Sequence, residues 1–277
     1  MIMKRSAGEK AFSAFNMVFM ILMMVITLYP FWYVITCSFS DSAQMVGARG
    51  MMLLPKGFSL EAYKAVLKNP NILTGYRTTL IVVVFGTALN ILMTAICAFL
   101  LTRRRFAIRG VMTYMALFTM YFSGGMIPTY LVIYKWYNLG DSLWALLLPG
   151  AISTYNMIIM RTNFAEIPES LEESAKIDGA SEWRVFSGIV MPNVKPAWLT
   201  LIIFSVQGLW NNKAATFIYS EEKKTLVYAM QQIQSGGIAR TGQGAAVLVV
   251  LMIVPIAIFI FSESQILETM ASSGLKD

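Results

Sequence analysis

Histidine is absent from this chain of 277 residues, and cysteine occurs only twice. The lack of histidine removes the commonest metal ligand of proteins and the commonest general base of enzymes. Cys37 and Cys97 stand far apart, toward the ends of apolar runs, without the paired spacing of a redox or metal motif. We therefore interpret both as small apolar side chains and expect no metal site.

Charged residues are also scarce, since they make up 13% of the chain against 57% for apolar residues. A soluble domain carries about a quarter charged residues. Several apolar runs reach about 20 residues, which is the length that crosses a bilayer as a helix. The sequence therefore predicts an all-α membrane protein that forms a single domain over residues 1–277. Its formal net charge of +7 is assigned to contacts with anionic lipid rather than with nucleic acid.

Six apolar segments are predicted to span the membrane, over residues 12–38, 75–102, 108–136, 142–163, 197–219 and 244–264. The link RRRFAIR at 103–109 is rich in arginine, and Lys4, Arg5 and Lys10 precede the first span. Clustered basic residues in short loops stay on the cytoplasmic side. We therefore expect both termini and the polar segment 164–196 to be cytoplasmic.

Two further absences limit how the chain obtains energy. It contains no G-x-x-x-x-G-K-[ST] phosphate loop, the usual means of binding ATP. The middles of the predicted spans contain no acidic residue, and Glu263 stands near the inner end of the last span. Carriers coupled to protons or sodium usually need ionisable or unwound groups at the membrane midplane. The chain is therefore expected to move a solute with energy from a partner, or to form a passive pore.

A polar, acid-rich stretch at residues 168–196 lies between two predicted spans. Pro168 suits the first turn of a helix, where its missing N–H costs nothing, and acidic residues near that end interact favourably with the helix dipole. Gly179 is a natural C-terminal stop, and Ser181 is expected to cap a second helix that runs to Met191. The sequence therefore predicts a helix, a glycine turn and a second helix.

The charges of this stretch leave its purpose open. Glu172 and Lys176 are four residues apart, a spacing at which opposite charges can pair on a helix, whereas Glu169 and Glu173 repel each other at the same spacing. One reading is a solvated connector whose acidic residues merely satisfy the helix dipole. The other is a docking helix whose acidic residues meet basic groups of a soluble partner.

The spacing of motifs favours the docking helix. Glu173 opens the run E-S-A, which is followed after three residues by Gly179 and, nine residues later, by I-V-M-P at 189–192. This pattern resembles the E-A-A-x-x-x-G-x(9)-I-x-L-P signature of ATP-binding-cassette importer permeases. Ser174 and Met191 replace the first alanine and the leucine of that signature conservatively.

The resemblance extends over nearly the whole chain and is to the carbohydrate subgroup, similar to the second permease of maltose-type and alginate- or oligosaccharide-type importers. Supporting stretches are FSGGMIPTY at 122–130, LPG at 148–150, MRTNF at 160–164 and LETMASSGLK at 267–276. The resemblance implies the six-helix type I importer permease fold in a bacterial cytoplasmic membrane. It implies a second permease as heterodimer partner, two ATPase subunits that bind ATP and Mg²⁺, and an extracytoplasmic sugar-binding lipoprotein. This chain itself is expected to bind no cofactor.

The resemblance also assigns roles to residues. The segment 168–181 would be the coupling helix, which lies in a cleft of the ATPase, with Glu173 facing a basic residue there and Gly179 allowing close approach. Closure of the ATPase dimer would rock spans three to six, and the tail 265–277 would also contact the ATPase. The expected coupling residues are Glu172, Glu173, Ser174, Ala175, Asp178, Gly179, Ala180 and Ser181.

Polar residues inside the predicted spans are candidates for the substrate path, because such groups face protein or a water-filled passage. The run Q-G-L-W-N-N from Gln207 combines amides with an aromatic ring, as sugar sites do. The alternative stays open for each residue, since polar residues also bond to neighbouring helices and Trp and Tyr mark membrane interfaces. The candidates are Asn90, Tyr121, Ser123, Tyr155, Asn156, Gln207, Trp210, Asn211 and Asn212.

Three functions remain in view. The first is the transmembrane subunit of a sugar importer, and the second is the same architecture for another solute such as a peptide or an anion. An anion path should show buried Arg or Lys at midplane, but the nearest basic residue, Lys213, falls toward the outer end of its span. The third is a channel or ion-coupled carrier that acts alone. A membrane enzyme is least favoured, because no set of catalytic residues is present in the sequence.

Overall fold

A computed structural model describes the backbone of residues 7–45, 50–213, 217–235 and 241–274. Within these ranges the chain is helical and contains no strand, and one isolated antiparallel bridge joins Ser40 and Phe58. The all-α prediction is confirmed for this part of the chain. Contacts divide the chain into two compact units, Met1–Asn69 with Met230–Met252 and Pro70–Ala229 with Ile253–Asp277.

The first unit begins with a long apolar helix whose C-terminal end is buried and whose most apolar part is exposed within the described residues. None of the residues in the most apolar window of this helix is buried, so its side chains are available to lipid or to a partner. A small core of Cys37, Met45, Met52 and Ala245 holds the rest of the unit together. The helices of this unit's first part are α1 (Ala7–Ser38), α2 (Ser42–Met45) and α3 (Glu61–Lys68).

The second unit contains most of the remaining helices. Two of them continue into π-helical turns, Val132–Trp136 after α6 and Phe186–Val190 after α10. Along the described chain the helices are α4 (Pro70–Thr102), α5 (Arg109–Tyr121), α6 (Met126–Leu131), α7 (Trp144–Leu147), α8 (Thr154–Ala165), α9 (Glu169–Ile177), α10 (Glu182–Val185), α11 (Met191–Asn193), α12 (Lys195–Trp210), α13 (Leu226–Gln234) and α14 (Thr241–Gly274).

The long helix α4 forms the centre of the second unit, where its most extensive contacts are with α8 and α12. Small residues allow this close packing: a Cβ on Gly75 would lie 3.1 Å from the backbone of Leu226. Toward its C-terminal end α4 contributes Phe99 and Leu101 to a large buried cluster, which also includes residues of α8, α10 and α12. Close contacts near both ends of α4 therefore hold the surrounding helices of the second unit in position.

The helices match the predicted spans only in part. By length and composition, three helices among the described residues can cross a membrane, and five spans result if each of two bent pairs is counted as one. The three coincide with the predicted spans 12–38, 75–102 and 244–264. The predicted number of six is not confirmed.

The differences have local causes. The segment 108–136 is a bent pair, because α5 and α6 meet at 118° and Gly125 between them has φ +87°, which favours glycine. The segment 142–163 is not one helix, since α7 ends at Leu147 and the chain is irregular until Thr154, across Pro149 and Gly150. The helix expected over 197–219 already ends at Trp210.

Candidate functional site

The polar stretch 168–196 forms the helix, glycine turn and second helix that its sequence predicts. Helix α9 begins after Pro168 and ends at Ile177. Gly179 follows with φ +80°, a left-handed conformation that is costly for other residues. The Ser181 hydroxyl accepts a hydrogen bond from the N–H of Arg184 at 3.3 Å and so caps the next helix.

Glu172 and Lys176, whose spacing on the helix allows an ion pair, each pair with a different residue. The Glu172 carboxylate instead pairs with Arg103, just beyond the end of α4, and the Lys176 ammonium lies 2.6 Å from a carboxylate oxygen of Glu182. Glu172 faces the link after α4, whereas Lys176 reaches the first turn of α10. Both charges thus connect α9 to other elements rather than to itself.

The opposite surface of α9 carries charge without a partner and apolar side chains without cover. Glu173 is exposed and forms no ion pair within the described residues. Ile177, four residues along and therefore on the same face, is 86% exposed, and Trp183 in α10 is 60% exposed. We call Glu173, Ile177 and Trp183 the coupling surface, after the role that the resemblance in the sequence implies. Apolar area beside a carboxylate without an ion pair suits the docking of a protein.

The other expected coupling residues either pack between this surface and the core or lie next to the surface. Ala175 and Ala180 pack against the large buried cluster. The Ser174 hydroxyl donates to the carbonyl of Ser170 at 2.8 Å, and Asp178 is exposed at the end of α9. Of the tail 265–277, α14 includes the backbone to Gly274, while the tail's side chains and residues 275–277 lie outside the described set.

A cavity of about 680 Å³ lies among α4, α7, α8 and α12. It brings together four of the predicted path residues, Asn90, Tyr155, Asn156 and Asn212. The rings of Tyr155 and Phe204 lie 6.2 Å apart, centroid to centroid, on its wall. Amides beside aromatic rings are groups that can bind a hydroxyl-rich ligand. Further lining residues that the sequence analysis did not single out are Ser153, Phe204 and Ser205.

Asn90 joins three elements at this cavity. Its side-chain oxygen accepts hydrogen bonds from the Ser205 hydroxyl at 2.7 Å and from the Asn156 amide at 3.4 Å. Its own amide donates to the carbonyl of Gly150 at 2.6 Å. The alternative role as a bond between helices therefore applies to Asn90, which is buried and faces the cavity at the same time.

The remaining path candidates do not line this cavity in the described residues: Tyr121, Ser123, Gln207, Trp210 and Asn211. Trp210 is 3% exposed and packs edge to face against Tyr76, with 6.0 Å between ring centroids. Tyr121 is 75% exposed at the end of α5. The helical period explains part of this division, because positions 205, 208 and 209 share one face of α12 and Trp210 points elsewhere. Asn212 lies beyond the end of the helix at Trp210.

A cluster that the sequence analysis missed lies at the N-terminal end of α4. Asp141, with φ +56°, accepts hydrogen bonds from the N–H groups of Tyr219 at 2.9 Å and Ser220 at 2.8 Å and from the ammonium of Lys223 at 3.0 Å. The hydrogen bond from the Ser220 hydroxyl has the largest effect on the Asp141 carboxyl, and the bond from the Ser220 N–H has the next largest. Together they hold the pKa of this carboxyl well below its usual range. The turn residues N-L-G-D at 138–141 are the sequence signal for this anchor.

Comparison with known proteins gives consistent matches along the chain. A family model described as "Binding-protein-dependent transport system inner membrane component" matches residues 9–269. Protein LplC of Bacillus subtilis (strain 168) is 38% identical over 233 residues, which cover 83% of this chain and 78% of that protein. The polygalacturonan/rhamnogalacturonan transport system permease protein YtcP of the same organism is 39% identical over 201 residues, covering 73% and 70%.

A solved structure shares the fold over nearly its full length. One chain of a bacterial ABC transporter involved in the import of the acidic polysaccharide alginate superposes with a TM-score of 0.83 at 27% identity, covering 95% of this chain and 99% of that one. A chain from the alginate transporter in complex with its pentasaccharide-bound periplasmic protein gives a TM-score of 0.60 at 13% identity. The second likeness speaks for the fold alone.

Proposed function

Since this chain belongs to the family of binding-protein-dependent transport system inner membrane components, we propose that it is the permease subunit through which an ATP-binding-cassette importer takes up a sugar or oligosaccharide. A second permease completes the path, two ATPase subunits bind ATP and Mg²⁺, and an extracytoplasmic lipoprotein delivers the sugar. The assembly lies in the bacterial cytoplasmic membrane, with both termini and α9 on the cytoplasmic side.

The observation that carries the energy-coupling part of the proposal is the coupling surface. Glu173 offers a free carboxylate, and Ile177 and Trp183 offer apolar area, on a helix whose other side is fixed to a buried core. A basic, partly apolar cleft on an ATPase subunit complements this combination of charge and apolar area. Because Ala175 of α9 and Ala180 just after it pack against this core, force applied to the outer face of α9 reaches the helices that form the core.

The cavity supports a sugar as the cargo. Asn156 and Asn212 offer amides, and Tyr155 and Phe204 offer ring faces, in a space of about 680 Å³. Sugars combine hydroxyl groups with flat apolar faces, so a site for them needs both kinds of contact. The polygalacturonan and alginate importers among the similar proteins carry cargo of this chemical class.

Charge reversal on the coupling surface tests the proposal. We expect Glu173→Lys to insert normally, to lose copurification of the ATPase subunits and to lower ATP-driven sugar uptake at least ten-fold, because a basic cleft would meet a like charge. Glu222→Lys is the matched control, since it makes the same charge change at an exposed site near the other end of α4. Wild-type uptake by Glu173→Lys contradicts the coupling role.

Transport assays with the wild-type chain separate the alternative functions. If the wild-type chain, purified without ATPase subunits, moves solute across vesicles, it is a channel or an ion-coupled carrier and the proposal is wrong. If ATP-driven uptake occurs for a peptide or an anion but not for any sugar, the importer architecture stands and the cargo class is wrong.

A further inference from the structure

Two ion pairs of very different burial join the end of α4 to α9. The Arg103–Glu172 pair has side chains that are 22% and 16% exposed. The Arg104–Glu169 pair, with 3.1 Å between its charged atoms, has side chains that are 82% and 72% exposed. Exposed pairs contribute little because water and salt screen them, whereas breaking a buried pair leaves a charge without compensation.

Arg103 also contacts the aromatic core beneath α9. Its guanidinium lies 3.8 Å from the centroid of the Phe99 ring, a position in which ring and cation attract each other. Phe99 in turn packs against Phe164 of α8 at 6.3 Å and against Phe186, just after α10, at 5.1 Å, between ring centroids. The end of α4 therefore contacts α9 and the elements on both sides of it.

Glu172 is the group that compensates the charge of Arg103. The Nε and Nη2 atoms of Arg103 are buried and have no hydrogen-bond partner within the described residues. Orientation of the chain by the positive-inside rule does not need this arrangement, because Arg105 and Arg109 in the same link are exposed and serve that purpose. A half-buried, ring-stacked arginine held by one carboxylate is instead suited to fixing two elements together.

We propose that Arg103 is a positioning residue that fastens α9 to α4, so that a displacement of the coupling surface reaches the cavity through α4. The inference rests on the proposed function, in which the ATPase subunits move α9. The helix rise of about 1.5 Å per residue places Asn90 about 20 Å from Arg103 along α4. Asn90 holds Ser205, Asn156 and Gly150 at the cavity. Span two thus takes part in transmission together with spans three to six.

The test compares Arg103→Gln with Arg104→Gln in the complete importer reconstituted in vesicles. Both changes remove one positive charge from adjacent residues, but only the first breaks the half-buried pair. We expect Arg103→Gln to retain the ATPase subunits on purification and to hydrolyse ATP, while the amount of sugar taken up per ATP falls at least five-fold. Arg104→Gln is expected to keep the wild-type ratio.

Two results with Arg103→Gln overturn the inference: a wild-type ratio of sugar to ATP, or loss of the ATPase subunits, which would make the residue part of docking only. If this variant does not accumulate in the membrane, the inference is tested with the double variant Arg103→Glu with Glu172→Arg, called the exchange variant. It restores opposite charges at the two positions. The exchange should recover at least half of the wild-type ratio, and an accumulated but uncoupled exchange variant also overturns the inference. Failure of the proposed function would differ, because the wild-type chain itself would then lack ATPase subunits or ATP-driven uptake.

Discussion

At the scale of single residues, a glycine at position 179 can be needed for its backbone conformation or for the close approach of a partner. Its φ of +80° disfavours most side chains on conformational grounds, whereas a Cβ at this position would meet no atom within 4 Å among the described residues. The requirement that the chain itself imposes is therefore the left-handed backbone. Close approach of a partner would be a separate requirement that any side chain would violate.

Substitution by alanine and by asparagine tells these two requirements apart. Both residues add a Cβ, but asparagine tolerates the left-handed conformation, while alanine costs about 1 kcal/mol there. We expect Gly179→Asn to keep ATP-driven sugar uptake near the wild-type rate and Gly179→Ala to lower it several-fold. Equal loss of uptake in both variants would show that the partner's approach, and not the backbone, requires glycine.

Sequence spacing predicts where turns and caps lie better than it predicts which residues form ion pairs. The glycine turn and the Ser181 cap follow from local rules and were predicted correctly. The partner of Glu172 was not predicted, because Arg103 is 69 positions away in the sequence, and the helical rule compares only neighbours three or four residues apart. The arginines of that link indicated orientation, but nothing in their order distinguishes the buried one from the exposed ones.

At the scale of elements, α4 carries one satisfied and one unsatisfied buried polar side chain within a single turn. Asn90 forms three hydrogen bonds to other elements. The Thr87 hydroxyl is buried and has no partner within the described residues. A buried polar group without a hydrogen bond lowers stability because it has lost its hydration, whereas removal of a bonded group leaves its partners unsatisfied.

The two positions therefore form a matched pair for measuring helix association. We expect Asn90→Ala to lower the free energy of unfolding of the detergent-solubilised complex by about 2 kcal/mol. Thr87→Val is expected to leave it unchanged or slightly raised, because the substitution removes an unsatisfied hydroxyl at nearly constant volume. Thermal unfolding followed by circular dichroism measures both variants, and equal destabilisation would contradict the assigned network.

The polar run in α12 shows what composition can and cannot locate. Amides beside a tryptophan at 207–212 pointed to a sugar-binding region, and Asn212 of this run does line the cavity. Trp210 does not, because only one face of a helix can meet a given space. The helical period groups Ser205 with Gly208 and Leu209, but no sequence signal indicates which face of a mostly apolar helix meets the cavity. Asn212 lies beyond the end of the helix, so no helical period applies to it.

At the scale of the whole molecule, scarcity of charge was enough to predict an all-helical membrane protein. The number and edges of spans were harder, because hydropathy measures how apolar a segment is and not whether its backbone is continuous. Gly125 and the link at 148–153 break apolar runs that remain apolar throughout. Breaks of this kind depend on packing against neighbours that a single sequence does not reveal.

The orientation of the chain can be measured directly with two exposed positions of the second unit. In a variant without Cys37 and Cys97, we expect Glu222→Cys to react with a membrane-impermeant maleimide in intact protoplasts. In cells that lack the ATPase subunits, Ile177→Cys, at a residue that is 86% exposed, should react only after permeabilisation, because the arginine link places this end inside. Labelling of Ile177→Cys in intact protoplasts would reverse the orientation.

The Asp141 anchor has a consequence for the order in which the protein is made. The N–H groups that Asp141 binds belong to Tyr219 and Ser220, which are 78 and 79 positions later in the chain. At a synthesis rate of roughly 5 to 20 residues per second, the carboxylate waits about 4 to 16 seconds for these partners. During that interval α8, α9 and α12 are all synthesised. The hydrogen bonds of Asp141 therefore form only after these helices have been synthesised. A chain truncated before Ser220 would carry an uncompensated charge in this turn.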